Sequence, residues 1–116
     1  MATDTSSQDF TPTRVVLTED GSHTLLHATL GEHYHSVHGA IQESRHVFIT
    51  NGWAECALRL KNISILEIGF GTGLNAYLSL LENKQAGLDV MYHSVEAFPI
   101  NAEISRQLNY APLLVN

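Results

Sequence analysis

Between residues 65 and 75 the chain reads ILEIGFGTGLN: three glycines in five residues, behind a run of branched apolar side chains, with Glu67 two residues before the first. A backbone that leaves a strand through Gly69, Gly71 and Gly73 has no Cβ to keep a ligand away from its main-chain N–H groups. The chemistry implied is ligand binding by bare backbone. A nucleoside ligand would also need a carboxylate to accept hydrogen bonds from both ribose hydroxyls, at the tip of the next strand and roughly 20 residues after the glycines. Glu96, closing MYHSVE, stands in that place. Each feature has a plainer reading: the glycines as a tight strand-to-helix turn, Glu96 as a solvated strand-end acid, Phe98 as a core aromatic. Strand, glycine turn and acid in this order favour the ligand site.

The elements that must position these residues follow from periodicity and turn chemistry. Residues 63–69, ISILEIG, form a short buried strand ending at the glycine turn. Leu74, Tyr77, Leu78 and Leu81 then recur at helical spacing, giving one apolar stripe on a helix that ends around Asn83. A second strand covers LDVMYHSVEAF, and Pro99 marks the start of a helix whose first turns are INAEISRQLN. The order predicts one right-handed βαβ unit and the start of the next crossover. Upstream, Asp20-Gly21 between two apolar runs predicts a small hairpin over residues 14–27. A loop and two helical pieces interrupted at Asn51-Gly52 follow it. Residues 1–12 read as a loose tail, 13–62 as the hairpin and helical segment, and 63–116 as the first part of a ligand-binding α/β domain.

Composition bounds the function classes. Of 116 residues, 44% are apolar and 16% charged, which fits a globular chain. A doubly wound domain usually needs more, on the order of 150 to 250 residues, so an incomplete domain is expected. The net charge of −6 argues against this segment itself gripping a nucleic-acid backbone, and leaves open a nucleic-acid substrate bound elsewhere in a longer chain. The single cysteine, Cys56, lies among Trp53, Ala54, Ala57, Leu58 and Leu60 and is expected to be a buried, reduced thiol of a cytoplasmic protein. The start, MATDTSSQDFTPT, has neither a basic region nor an apolar core and is no signal peptide; no apolar run approaches a membrane span. Seven histidines occur, and HYHSVH (His33, His35, His38) invites a metal reading, but no Cys or Asp cluster accompanies them. Loop or substrate-pocket histidines, with no metal, are expected.

The nicotinamide fingerprint Gly-x-Gly-x-x-Gly would place its third glycine where Leu74 stands, which disfavours a dinucleotide. Glu67-x-Gly69-x-Gly71-x-Gly73 resembles instead the loop of S-adenosylmethionine-dependent methyltransferases. Together, YHSVHGAIQESRHVFITNG, LEIGFGTGLN and VEAFPI resemble a narrower family: the methyltransferase that completes 5-methylaminomethyl-2-thiouridine at the wobble position of tRNA. That family occurs alone or fused to a flavin-dependent oxidase. The glycine loop marks the methyltransferase class; Tyr34-x-Ser36, Glu43-Ser44-Arg45, Val47-Phe48 and Glu96-x-Phe98-Pro99 point to the narrower family. The resemblance runs from about residue 14 onward and covers only the front of that enzyme.

The resemblance implies the N-terminal part of a Rossmann-like class I methyltransferase, α/β in class and preceded by a small β-hairpin. It implies S-adenosylmethionine as cofactor, tRNA as substrate, a flavin-dependent oxidase as possible partner or fused domain, no membrane, and a cytoplasmic location. Glu67, Gly69, Phe70, Gly71, Gly73 and Asn75 would line the cofactor, Glu96 would hold its ribose, and Phe98 could cover the adenine. Tyr34, Ser36 and Glu43 would lie in a segment that closes over the cofactor and faces the substrate. Methyl transfer is an in-line displacement, so alignment is the main task. An aliphatic amine with a pKa of about 10 must also lose a proton first. Tyr34, Ser36, Glu43 and the histidines are the candidates within the chain; the resemblance implies an acid beyond Asn116, and hence no turnover by these residues alone. The alternatives are a nicotinamide-dependent oxidoreductase segment and a non-catalytic βαβ interaction segment.

Overall fold

The computed structural model describes residues 13–115; the tail expected over residues 1–12 lies outside them. β1 (Thr13–Leu17) and β2 (His23–His27) form the expected hairpin, with Val15 opposite Leu25. A short β3 (Glu32–His33) extends it to a three-stranded antiparallel meander. Two paired residues carry no alternation of apolar and polar side chains, so β3 left no trace in the sequence pattern.

The turn of the hairpin is built on Asp20. Its carboxylate accepts from the Thr18 hydroxyl at 2.9 Å, from the Ser22 N–H at 3.0 Å and from the Ser22 hydroxyl. Its second oxygen accepts the Gln42 N–H at 2.9 Å, which supplies a cap to α1 (Ala40–Ser44) from across the chain. Gly39 precedes that helix and has no side chain to do so.

From α1 the chain continues without a break through a π-helical stretch (Arg45–Trp53) into α2 (Ala54–Ala57). The interruption expected at Asn51-Gly52 is therefore absent. The Asn51 side chain donates to the His46 carbonyl five residues back, at 2.7 Å, so a turn-forming residue is used to satisfy the wide helix instead of ending it. Ile49 and Trp53 are buried, and Ala57 packs beside them, one inward stripe at four-residue spacing. Cys56 falls off that stripe and is exposed, which corrects the expectation of a buried thiol.

β4 (Asn62–Ile68) pairs in parallel with β5 (Asp89–Val95), Asn62 opposite Asp89 through Ile68 opposite Val95, and α3 (Leu74–Ala86) connects them. This is the βαβ unit. α3 runs three residues past Asn83, whose amide instead fixes the exit: it accepts the Leu88 N–H at 2.9 Å and donates to the Leu88 carbonyl at 3.0 Å. Leu74 and Leu78 of the expected stripe are buried against Ala40, Ile49, Trp53 and Ile63. On the opposite sheet face Leu66, Ile68, Met91 and Val95 are exposed.

The last helices differ from expectation in detail. α4 (Ala102–Gln107) starts three residues after Pro99, because Asn101 caps it by accepting the Ile104 N–H at 2.8 Å. α5 (Tyr110–Leu114) ties back to the meander. The Tyr110 hydroxyl donates to the His23 carbonyl at 2.7 Å, and Asn109 accepts the His23 N–H and donates to the Gly21 carbonyl, each at 2.9 Å. Among the described residues no helix is long and apolar enough to cross a membrane.

Partial burial opposes ionisation of Asp20, but the hydrogen bonds from Ser22, Gln42 and Thr18 outweigh it and hold the carboxyl below its ordinary value of 3.8. A depressed carboxyl contributes stability above its unfolded pKa and loses it as the pH falls through the folded value. Asp20→Ala should therefore lower the unfolding free energy by about 1 to 2 kcal/mol at pH 7, as for a lost cap with its local bonds. Urea unfolding at pH 7 and at pH 3 checks this: the gap between wild type and variant should narrow at the acid end.

Candidate ligand site at the glycine turn

Because β4 and β5 pair in register, the two strands leave the sheet level with each other. The Gly69 N–H donates to the Val95 carbonyl at 2.7 Å, continuing the ladder by one residue. The turn then rises over the tip of β5, where Oε1 of Glu96 accepts the Gly71 N–H at 2.7 Å. Oε2 of Glu96 accepts the Phe98 N–H at 3.1 Å. Each carboxylate oxygen offers about two acceptor positions, so both keep capacity for a further donor.

Of the residues expected to bind a cofactor, Glu67, Gly69, Phe70, Gly71, Asn75 and Glu96 line one cavity of about 340 Å³. Tyr34 and His35, from the segment after β3, complete its wall. Gly73 stands behind it, with φ +81° at the start of α3, where a Cβ would fall 2.8 Å from the Phe70 ring. Phe98 lies outside the wall, 83% exposed just beyond Glu96.

Tyr34 lies against the turn: a Cβ on Gly71, whose φ is +58°, would meet its ring at 3.3 Å. Burial and then the charge of Glu96 push the Tyr34 phenol up, so it stays protonated at neutral pH. Glu67 accepts the Ser94 hydroxyl at 2.9 Å. Burial and then the Glu67 charge raise the neighbouring Tyr92 phenol. Asn75 lines the cavity, and among the described residues its side-chain carbonyl, which is buried, has no hydrogen-bond partner.

Ser36 and Glu43 stand behind this wall. Oε1 of Glu43 accepts the Ser36 N–H at 2.9 Å and lies 3.4 Å from Nδ1 of His35. The Ser36 hydroxyl accepts the His38 N–H at 3.1 Å. Nε2 of His35 is 3.2 Å from the Thr72 hydroxyl, in the glycine turn. The three histidines of HYHSVH thus diverge: His33 lies on β3, His35 in the cavity wall, and exposed His38 beside Glu19 at 3.2 Å. Among the described residues no group of three or more His, Cys, Asp or Glu is arranged to hold a metal.

Two contributors escaped the sequence reading, Thr72 and Ser94. Ser94 was within reach: the parallel register sets it directly opposite Glu67, on the same face of the sheet. Thr72 sits between two glycines and carries no pattern of its own.

Chemically, the cavity offers carboxylate acceptors beside a bare backbone, and among the described residues neither Lys nor Arg lines it. That suits a small ligand rich in N–H and O–H donors, and not a pyrophosphate. The fold and site together define an α/β unit with a ligand pocket at the switch from strand to glycine turn. No family model matches the chain. Over 65 residues, 55% of its length, it is 42% identical to the tRNA 5-methylaminomethyl-2-thiouridine biosynthesis bifunctional protein MnmC of Burkholderia mallei (strain SAVP1), and equally to that of Burkholderia pseudomallei (strain 668). The match spans 10% of the length of those relatives. The crystal structure of MnmC2 from Aquifex aeolicus is similar to the chain with a TM-score of 0.63 and 36% identity, over 84% of this chain and 35% of that one. The chain is thus MnmC-like over part of the length of these proteins, as the flanking motifs implied.

Gly71→Ala tests the turn itself. The left-handed conformation costs a side chain about 1 to 2 kcal/mol, and the new methyl group meets the Tyr34 ring. The variant should lose about that much unfolding free energy in urea titration, whereas Gly52→Ala, in helical backbone with open space around the added Cβ, should lose none.

Proposed function

We propose that the full-length protein is an S-adenosylmethionine-dependent methyltransferase acting on the aminomethyl group of 5-aminomethyl-2-thiouridine at the wobble position of tRNA. On this reading the chain contributes the first part of a Rossmann-like class I cofactor domain. The observation that carries it is Glu96: a carboxylate at the tip of β5, held by the Gly71 N–H, facing a cavity floored by the glycine turn. The similarity to MnmC proteins supplies the substrate class.

The residues present fit the cofactor. The Glu67 carboxylate is an acceptor for an ammonium group, with Asn75 beside it in the cavity wall, and the free lone pairs of Glu96 suit two ribose hydroxyls. Gly69 and Gly71 would bring bare backbone against the cofactor, with Gly73 behind them, Phe70 closes the side of the cavity, and Phe98, exposed beside Glu96, would be available to the adenine. When bound, the cofactor supplies an electrophilic methyl group. These residues would orient it, leaving the acceptor amine to be placed in line.

The amine must arrive without its proton, and Tyr34, Ser36 and Glu43 are each engaged within the chain or held protonated. Glu43 is engaged by Ser36 and His35, Ser36 is tied into a turn, and the Tyr34 phenol is held protonated. In keeping with the family resemblance, the proton acceptor is assigned to an acid outside these residues. The charge of −6 leaves tRNA contacts to basic surface elsewhere in the full-length protein. A flavin-dependent oxidase, as partner or fused domain, and a cytoplasmic location are part of the same proposal.

Calorimetry on the full-length protein should detect binding of S-adenosylmethionine and of its demethylated product, and none of NAD. The reverse result would end the reading. Glu96→Ala should weaken cofactor binding by roughly 1.5 to 3 kcal/mol, as for lost charge-assisted hydrogen bonds. With methyl-labelled cofactor and undermodified tRNA, the label should appear at the wobble uridine, and its absence would sink the substrate assignment.

A further inference from the structure

We propose that His35 is a positioning residue that latches the glycine turn through the Thr72 hydroxyl, holding the backbone of Gly71 in register with Glu96. The inference deepens the cofactor reading above and rests on it for its ligand. It stands on a contact that joins two parts of the chain 37 residues apart.

His35 is fixed at its own backbone. Its N–H donates to the Thr24 hydroxyl at 2.8 Å, its carbonyl accepts from the same hydroxyl at 3.3 Å, and the preceding Tyr34 N–H donates to the Leu25 carbonyl at 2.8 Å. Thr24 and Leu25 are fully buried on β2, so the ring projects from a rigid base. Adjacent residues Tyr34 and His35 thereby meet adjacent residues Gly71 and Thr72: one ring lies against the glycine, the other bonds the hydroxyl.

The donor and acceptor roles follow from the neighbours. A carboxylate only accepts, so the ring proton belongs on Nδ1, facing Glu43 at 3.4 Å. Nε2 is then an acceptor, and Thr72 donates to it. Burial favours the neutral ring and outweighs the opposing pull of Glu43 and Glu67, so the pair has this sense at neutral pH. With both ring nitrogens engaged, His35 has no free lone pair for a substrate proton, which makes it a positioning residue and not a base.

Thr72 itself is buried, and on either side of it the turn is held by single bonds: the Gly71 N–H on Glu96, and the Gly73 N–H on the Phe70 carbonyl at 2.9 Å. Loss of the hydroxyl removes the bond to His35 and leaves the packing of the Tyr34 ring against Gly71 to hold the turn from that side.

The test uses the full-length protein with Thr72→Val, Thr72→Ser, His35→Gln and the His35→Gln/Thr72→Val double variant. Two readouts are taken: amide hydrogen exchange at Gly71 and Gly73 without cofactor, and the dissociation constant for S-adenosylmethionine. Thr72→Val, which keeps the shape and removes the donor, should raise the dissociation constant roughly two- to tenfold, the worth of one neutral hydrogen bond, and speed exchange at both glycines. Thr72→Ser should move both readouts back toward wild type. The double variant should be no worse than the poorer single one, since both remove the same bond. Wild-type exchange in Thr72→Val, or fully additive effects in the double variant, would overturn the latch. If His35→Gln does not fold, the Thr72 pair decides alone. Should the wild-type protein bind no S-adenosylmethionine, the cofactor reading fails, and accelerated exchange in Thr72→Val still upholds the latch.

Discussion

The parallel pairing of β4 with β5 carries Ile68 and Val95 to the same level before either strand leaves the sheet, and the whole site follows from that alignment. The next residue on one strand is Gly69 and on the other Glu96, so the turn and the acid emerge side by side. One residue of slip would send the Glu96 side chain to the opposite face of the sheet and leave the Gly71 N–H without its acceptor. The same alignment sets Ser94 against Glu67 and keeps that carboxylate hydrogen-bonded at the cavity wall. The packing of α3 on Ile63 and Trp53 is what makes slippage costly, because a shifted β4 would expose its buried residues.

Electrostatics shape the cavity together with geometry. Glu67 and Glu96 line it, Glu43 stands behind His35, and each carboxylate is met by N–H or O–H donors within the chain: Ser94 for Glu67, Gly71 and Phe98 for Glu96, Ser36 for Glu43. Among the described residues no Lys or Arg lines the wall beside Glu67 and Glu96. Burial first, and then the charges of Glu96 and Glu67, hold the Tyr34 and Tyr92 phenols above their ordinary values. A pyrophosphate would enter this field against repulsion, whereas an ammonium or sulfonium centre would be drawn in.

What was legible in the sequence was local. The glycine spacing, the branched apolar run before it and the stripe Leu74, Tyr77, Leu78, Leu81 act within one turn of chain, and each produced the element it implied. The position of Glu96 at the tip of β5 was legible because strand length fixes where a strand-tip acid falls. The failures were side chains recruited from a distance or used against type. Asn51 bonds a helix carbonyl instead of making a turn, Asn101 displaces Pro99 as the helix start, and a cysteine among apolar neighbours sits one step off the inward stripe. The bond between His35 and Thr72 spans parts of the chain that no periodicity relates, so only the folded arrangement brings it to view.

The motif's glycines are also not one constraint repeated. Gly71 is glycine because a Cβ would press on Tyr34 while the backbone bends to reach Glu96, so its replacement strains the wall of the cavity itself. Gly73 is glycine because the Phe70 ring occupies the space a Cβ would take, so its replacement pushes on an aromatic of the cavity wall from behind. Of the two, Gly71 couples the turn to the N-terminal meander through Tyr34, in parallel with the bond from His35 to Thr72. A turn usually treated as property of the strand and helix it joins is thus held here from a third side. Side chains that follow β3, an element too short to be read from sequence, determine how firmly the backbone of the site is held.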